Sequence, residues 1–86
     1  MLFTFKLEKP DNIKLTLERL KAKLAATGGK LSGNEKEGTI SAGGAEGKYI
    51  VEDHAIRIVV TKKPLAIIPN RLIEKEIRDI FREISK

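Results

Sequence analysis

The stretch that decides the fold runs from Ala55 to Pro69 and reads Ala-Ile-Arg-Ile-Val-Val-Thr-Lys-Lys-Pro-Leu-Ala-Ile-Ile-Pro. Apolar residues at every second position of its first half predict a strand with one buried face, over 55–61. These positions are Ile56, Ile58 and Val60. The second half is an apolar run from Leu65 to Ile68, enclosed by two prolines. A strand that leads through an apolar connection into a helix indicates a small domain of sheet and helices.

The chain on either side of this stretch supplies one more strand and two helices. Residues 3–8 alternate between apolar and polar side chains, which predicts a half-buried strand. Residues 11–26 and 70–85 carry apolar residues at helical spacing. The predicted inward stripes are Ile13, Leu17, Leu20 and Leu24 in the first helix, and Ile73, Ile77, Ile80, Phe81 and Ile84 in the second. We expect Asn70 to cap the second helix, and Leu15, Ala22 and Ala26 to face solvent.

Short strands separated by turn residues fill the middle of the chain. We expect strands at 30–32, 37–42 and 48–52, a glycine-rich turn at 43–47, and a tight reversal at Asp53-His54. Closely spaced strands with short turns are typical of an antiparallel meander. The predicted fold class is therefore α+β: a two-layer, mainly antiparallel sheet with two helices on one face, in the order β-α-β-β-β-β-α.

Length and composition set limits on the kind of protein. A chain of 86 residues is expected to form a single domain over 1–86. The net charge of +5 permits binding to nucleic acid or an anionic surface without requiring it. Cysteine is absent, which excludes disulfides and cysteine-ligated metals. The longest apolar run has four residues, against the ~20 that a membrane helix needs, so we expect a soluble cytoplasmic protein with no transmembrane segment.

No motif in the sequence favours catalysis or a cofactor. His54 is the single histidine and lies in a predicted turn, and without a second His, a Cys or a His-Glu-x-x-His spacing the sequence does not favour a zinc site. The serines lack the surroundings of a nucleophile. Gly28-Gly29-Lys30 and the cluster at 43–47 lack the spacing of phosphate-binding loops, and a helix end and a hairpin turn explain them. We therefore expect a protein that is not an enzyme, with no catalytic, cofactor-binding or metal-binding residues.

Positive charge near the Ala55–Pro69 stretch raises the alternative of a small basic nucleic-acid-binding module. Lys62, Lys63 and Arg71 lie close together in the sequence. Binders of single strands usually present aromatic side chains on which bases stack. The phenylalanines fall on predicted core positions, which leaves only Tyr49 for this role. Nucleic acid is therefore the second choice of partner.

The apolar run has two interpretations. In one, it closes the open end of the core as a lid. In the other, its side chains are exposed and form a contact for a hydrophobic granule, a membrane surface or a protein partner. The residues that would make this contact are Lys62, Lys63, Leu65, Ile67, Ile68 and Arg71. A deep polar pocket would instead favour a small-ligand binder or an enzyme.

The layout of the chain resembles a known family. The resemblance lies in the strand and helix at the N-terminus, the meander with Gly38-Thr39-Ile40-Ser41, the segment Tyr49-Ile50-Val51-Glu52-Asp53, the Leu-Ala-Ile-Ile-Pro connection and the Ile-rich last helix. In this pattern the chain is similar to the small polyhydroxyalkanoic acid system proteins, which are associated with polyester granules. That family has no assigned biochemical activity, so it implies a non-enzymatic accessory or binding protein at a granule surface and supplies no catalytic residues.

Overall fold

A computed structural model describes residues 2–65 and 67–85. It confirms the predicted α+β class and the order β-α-β-β-β-β-α. The strands are β1 (Phe3–Glu8), β2 (Lys30–Gly33), β3 (Glu37–Ala42), β4 (Ala45–Val51) and β5 (Ala55–Lys62). The helices are α1 (Ile13–Ala26) and α2 (Asn70–Ile84).

The five strands form one antiparallel sheet in the order β1-β5-β4-β3-β2. Strands β2 to β5 are the predicted meander, and β1 pairs with the free side of β5. In this register Phe5 lies opposite Ile58 and Leu7 opposite Ile56, so the apolar faces of the first and last strands coincide. Strand β5 therefore has hydrogen-bonded neighbours on both sides, while β1 and β2 form the edges.

Both helices contribute to one hydrophobic core on the apolar face of this sheet. The buried apolar residues of the sheet are Phe5, Leu7, Leu31, Tyr49, Ile56, Ile58 and Val60. Those of the helices are Leu17, Leu20, Leu24, Ile73, Phe81 and Ile84. The predicted helical stripes thus supply the core, with Ile13, Ile77 and Ile80 partly buried at its margin. Burial of these side chains is the main favourable term for folding.

Helix α1 begins two residues later than predicted. Its cap is Asn12, whose Oδ1 accepts a hydrogen bond from the Leu15 amide at 3.1 Å. Such a side-chain cap satisfies one of the free amides of the first turn. The expected solvent-facing side is confirmed, because Leu15, Ala22 and Ala26 are all exposed.

The predicted cap of α2 is wrong. The cap position is Pro69, and Asn70 is already helical. The Asn70 Oδ1 accepts from Lys63 Nζ at 3.0 Å, which ties the first turn of the helix to the preceding connection. On the outer face of α2, Arg78 Nε lies 2.8 Å from a Glu74 oxygen and Arg82 lies 3.4 Å from Asp79. A hydrogen bond from Lys75 holds the pKa of Asp79 below its usual range.

The glycine-rich turn is shorter than predicted. Only Gly43 and Gly44 form it, with φ of 58° and 87°, a region that glycine enters without strain. The prediction of a turn over 43–47 is therefore wrong for its last three residues, because β4 already begins at Ala45. The pairing of β4 with β5 shifts register between Glu46 and Gly47. The extra residue at this shift is Thr61 of β5, so the bulge lies in β5, and β4 itself is continuous where the glycine pattern indicated a loop.

Candidate functional site

The connection between β5 and α2, residues 63–69, carries most of the predicted contact residues. Two hydrogen bonds fix its shape, from Lys63 Nζ to the Ile68 carbonyl at 2.9 Å and from the Ile68 amide to the Leu65 carbonyl at 3.1 Å. Prolines at both ends restrict its backbone further. These bonds hold Lys63, Leu65 and Ile68 in a defined arrangement. Ala66 lies outside the described residues.

The apolar side chains of the connection point in two directions. Ile68 is half-buried and packs against the core, as the lid interpretation predicts. Leu65 and Ile67 are 59% and 86% exposed, as the contact interpretation predicts. The burial expected of a lid thus holds for Ile68, and the exposure expected of a contact holds for Leu65 and Ile67.

A further exposed residue, Leu72, was not predicted as part of this surface. It lies in the first turn of α2 and is 50% exposed. Position 72 does not belong to the inward-facing apolar stripe of α2. This was the only signal in the sequence that could have identified Leu72 as exposed. We call Leu65, Ile67 and Leu72 the apolar tip. Large exposed apolar side chains that follow one another this closely are typical of interaction sites, whereas single ones are ordinary.

The three predicted basic residues lie in different environments. Lys62 is exposed, with its Nζ 3.8 Å from a Glu46 oxygen. Lys63 uses its amine inside the connection, as described above, and is half-buried. Arg71 is exposed and makes no hydrogen bond or ion pair with the described residues. Of the three cations, Arg71 is therefore the one whose charge is fully available to a partner.

A cavity of about 360 Å³ lies behind the connection, between the sheet and the helices. Its wall includes Pro64 and Ile68 of the connection and Leu72 of the apolar tip. The remaining wall is almost entirely aliphatic and comes from β3, β4, β5 and both helices. This cavity is therefore apolar, unlike the deep polar pocket that would have favoured a small-ligand binder or an enzyme.

The residues considered for chemistry lie apart from one another. His54 is exposed in the reversal between β4 and β5. Gly28 follows Thr27, the C-cap of α1, and has a φ of 84°. Within residues 2–65 and 67–85, no three His, Asp or Glu side chains come together as metal ligands would. In that same part of the chain, neither helix has the length and apolar character to cross a bilayer.

The aromatic side chain that was expected to remain free for nucleic-acid stacking is buried. Tyr49 is 1% exposed, and its hydroxyl donates to the Asn34 carbonyl at 2.7 Å. Burial raises the pKa of this phenol. Its ring lies against Gly33 and Gly38, where an added Cβ would come within 2.8 Å and 2.5 Å of ring or hydroxyl atoms. The glycines on these two strands therefore make room for the ring, a role that their sequence context did not reveal.

The other aromatic residues also lie on the side of the sheet that the helices cover. Phe5 is buried, and Phe3 stacks on it with 5.9 Å between ring centroids. The uncovered face of the sheet carries alternate residues such as Lys6, Lys48 and Arg57. Lys6 and Arg57 both contact Glu52, which offsets part of their charge. This face thus has cations but lacks the aromatic platform on which single-strand binders rely.

Comparisons with known proteins give no relative: no family model, curated protein or solved structure matches this chain.

Proposed function

We propose that this chain is a non-enzymatic accessory protein that attaches to a hydrophobic surface through the apolar tip. The observation that carries the proposal is the 86% exposure of Ile67, a side chain that folding alone would bury. Leu65 and Leu72 extend the exposed apolar area on either side of it in the sequence. Together the three side chains can leave water only by contact with something outside the described fold.

The geometry of the connection favours binding. Because Lys63 and the two prolines already fix the backbone, ordering it at a surface costs little conformational entropy. Full burial of a large aliphatic side chain contributes about 1.5–3 kcal/mol. Two or three such side chains leave a modest net affinity after the loss of translational and rotational freedom. Attachment would therefore be weak and reversible for one copy of the chain.

The surface that we propose is a polyhydroxyalkanoate granule in the cytoplasm. The support is the resemblance of the sequence pattern to polyhydroxyalkanoic acid system proteins, together with the exposed apolar tip. Aliphatic polyester is apolar enough to accept leucine and isoleucine side chains. Arg71 next to the tip adds attraction wherever such a surface carries negative charge.

The experiment is co-sedimentation with polyhydroxybutyrate particles and with anionic lipid vesicles. The test variant is Leu65→Ser combined with Ile67→Ser, which removes apolar area without touching the core. The matched control is Leu2→Ser combined with Leu15→Ser, since these leucines are 48% and 39% exposed elsewhere on the molecule. We expect the test variant to lose partitioning at an unchanged melting temperature, and the control to partition like the wild type.

Two outcomes would contradict the proposal. One is a test variant that still sediments with the particles. The other is an equal loss in both double variants, which would indicate general stickiness. Binding to vesicles but not to polyester would keep the apolar tip as the contact and replace the granule with a lipid surface.

A further inference from the structure

The aliphatic cavity behind the connection has the size of a ligand site. Its volume of about 360 Å³ falls in the usual range for small-molecule sites, which begins at about 300 Å³. It is also more than twice the volume of an engineered apolar cavity of about 150 Å³ that stays dry and binds benzene. A space this large and this apolar is poorly suited to water, because water there would find few hydrogen-bond partners.

The cavity exists because small residues line the end of the β3–β4 hairpin. Ala42 and Ala45 face each other across the two strands, and Gly47 follows at the bulge. Ile77 and Ile80 of α2 line the other side and are only half-buried, so the helix leaves part of its apolar stripe without protein contact. An aliphatic ligand would cover this surface.

The charged residues in the wall restrict the head group of such a ligand. They are Glu46 and Glu76, and within residues 2–65 and 67–85 no basic residue lines the cavity. Glu46 has the distant partner Lys62 at 3.8 Å, while Glu76 is exposed and makes no ion pair with the described residues. A carboxylate head group would be repelled here, and an ammonium group would be attracted.

We infer that this cavity binds a short aliphatic chain that carries an amine head group, with the chain among the aliphatic side chains and the ammonium group near Glu76. This site shares Leu72 with the apolar tip but does not depend on attachment through Leu65 and Ile67. Binding inside the cavity requires no particle or vesicle, so the two can fail independently.

The probes are octylamine, octanol and octanoate, which share one chain length and differ in head group. Each is titrated into the isotope-labelled protein below its own aggregation concentration, and amide and methyl NMR shifts are followed. We expect octylamine to shift the signals of Gly43, Gly47 and Ile77, with an affinity about tenfold above that of octanoate. Octanol should lie between them.

A charge reversal tests the head-group preference. Glu76→Lys should reverse the order, so that octanoate binds tighter than octylamine. The matched control is Glu18→Lys on the exposed part of α1, which changes the net charge equally without touching the cavity. It should keep the wild-type order. An order that stays the same in Glu76→Lys, or that reverses in both variants, would overturn the inference about the amine.

A filling substitution tests the location. Ala42→Leu places a larger side chain in the cavity and should weaken octylamine binding at least tenfold, while Ala22→Leu on the exposed side of α1 should not. If Ala42→Leu unfolds the protein, Ala45→Leu serves the same purpose from the facing strand. Unchanged affinity in a folded filled variant, or no shift of cavity signals in the wild type, would overturn the site.

Discussion

Strand β5 and the connection that follows it contain the same kinds of side chain in opposite environments. Ile58 in the strand is 2% exposed, whereas Ile67 in the connection is 86% exposed. Only nine positions separate them in the chain. Because both residues are isoleucines, hydrophobicity cannot explain this difference. The backbone around each isoleucine decides whether its side chain is buried.

The physical difference lies in how each segment satisfies its backbone. In β5 the amides and carbonyls pair with β1 and β4, which fixes alternate side chains against the helices. In the described part of the connection the backbone bonds to the connection itself, to the Lys63 amine and, through the Pro69 carbonyl, to the Leu72 amide of α2. A turn of this kind places neighbouring side chains on opposite sides, so that Ile68 reaches the core and Ile67 does not.

The largest expected effect separates the two isoleucines directly. Ile58→Ala should lower the free energy of unfolding by about 2–5 kcal/mol, because it leaves a cavity in a packed core. Ile67→Ala should change the free energy of unfolding by less than about 0.5 kcal/mol, because the exposed Ile67 side chain buries little apolar area in the fold. Urea denaturation of both variants measures the difference. Equal midpoints would remove the distinction between strand and connection.

A smaller loss of stability is expected in the sheet, at Tyr49 of β4. Tyr49→Phe keeps the ring between the helices and the sheet but removes the hydrogen bond to the Asn34 carbonyl. The loss should be about 1–2 kcal/mol, since a partly buried acceptor is left without its partner. Thermal unfolding near neutral pH measures it, and Ile67→Ala serves as the unaffected reference.

The pH dependence of the same variant sharpens this prediction. Burial raises the pKa of the folded Tyr49 phenol, so its contribution is complete below the unfolded value of about 10 and decreases as pH rises beyond it. The stability difference between wild type and Tyr49→Phe should therefore shrink above that pH. A difference that grows in alkali would contradict the assigned burial.

A loss of stability smaller than that of Tyr49→Phe is expected in the connection, at Lys63. Lys63→Met keeps the length of the side chain and removes its hydrogen bonds to Ile68 and Asn70. Because this side chain is only half-buried, the loss should be about 0.5–1 kcal/mol. Amide hydrogen exchange should accelerate in the connection and in the first turn of α2, and not in β5. Faster exchange throughout the sheet would show that the two regions are not independent.

The candidate site was predictable only in part, for reasons visible in particular residues. The sequence located the apolar run and its prolines, but a run without periodicity carries no information on which side chain faces inward. Lys63 was interpreted as a surface cation, because only the folded connection brings its Nζ to the Ile68 carbonyl. The cavity was not foreseen, since it results from small residues on two strands meeting incompletely covered residues of α2.

The sequence by itself determined the α+β class, the order of the elements and nearly all of the core, because periods of two and of 3.6 residues are local properties of the chain. The tertiary structure alone decided that Tyr49 is buried beside two glycines, that β4 begins at Ala45 and pairs with β5 across a register shift, and that Ile68 is half-buried while Ile67 is exposed. Each of these depends on which strands and helices become neighbours. Such long-range contacts are fixed only when the whole chain packs together.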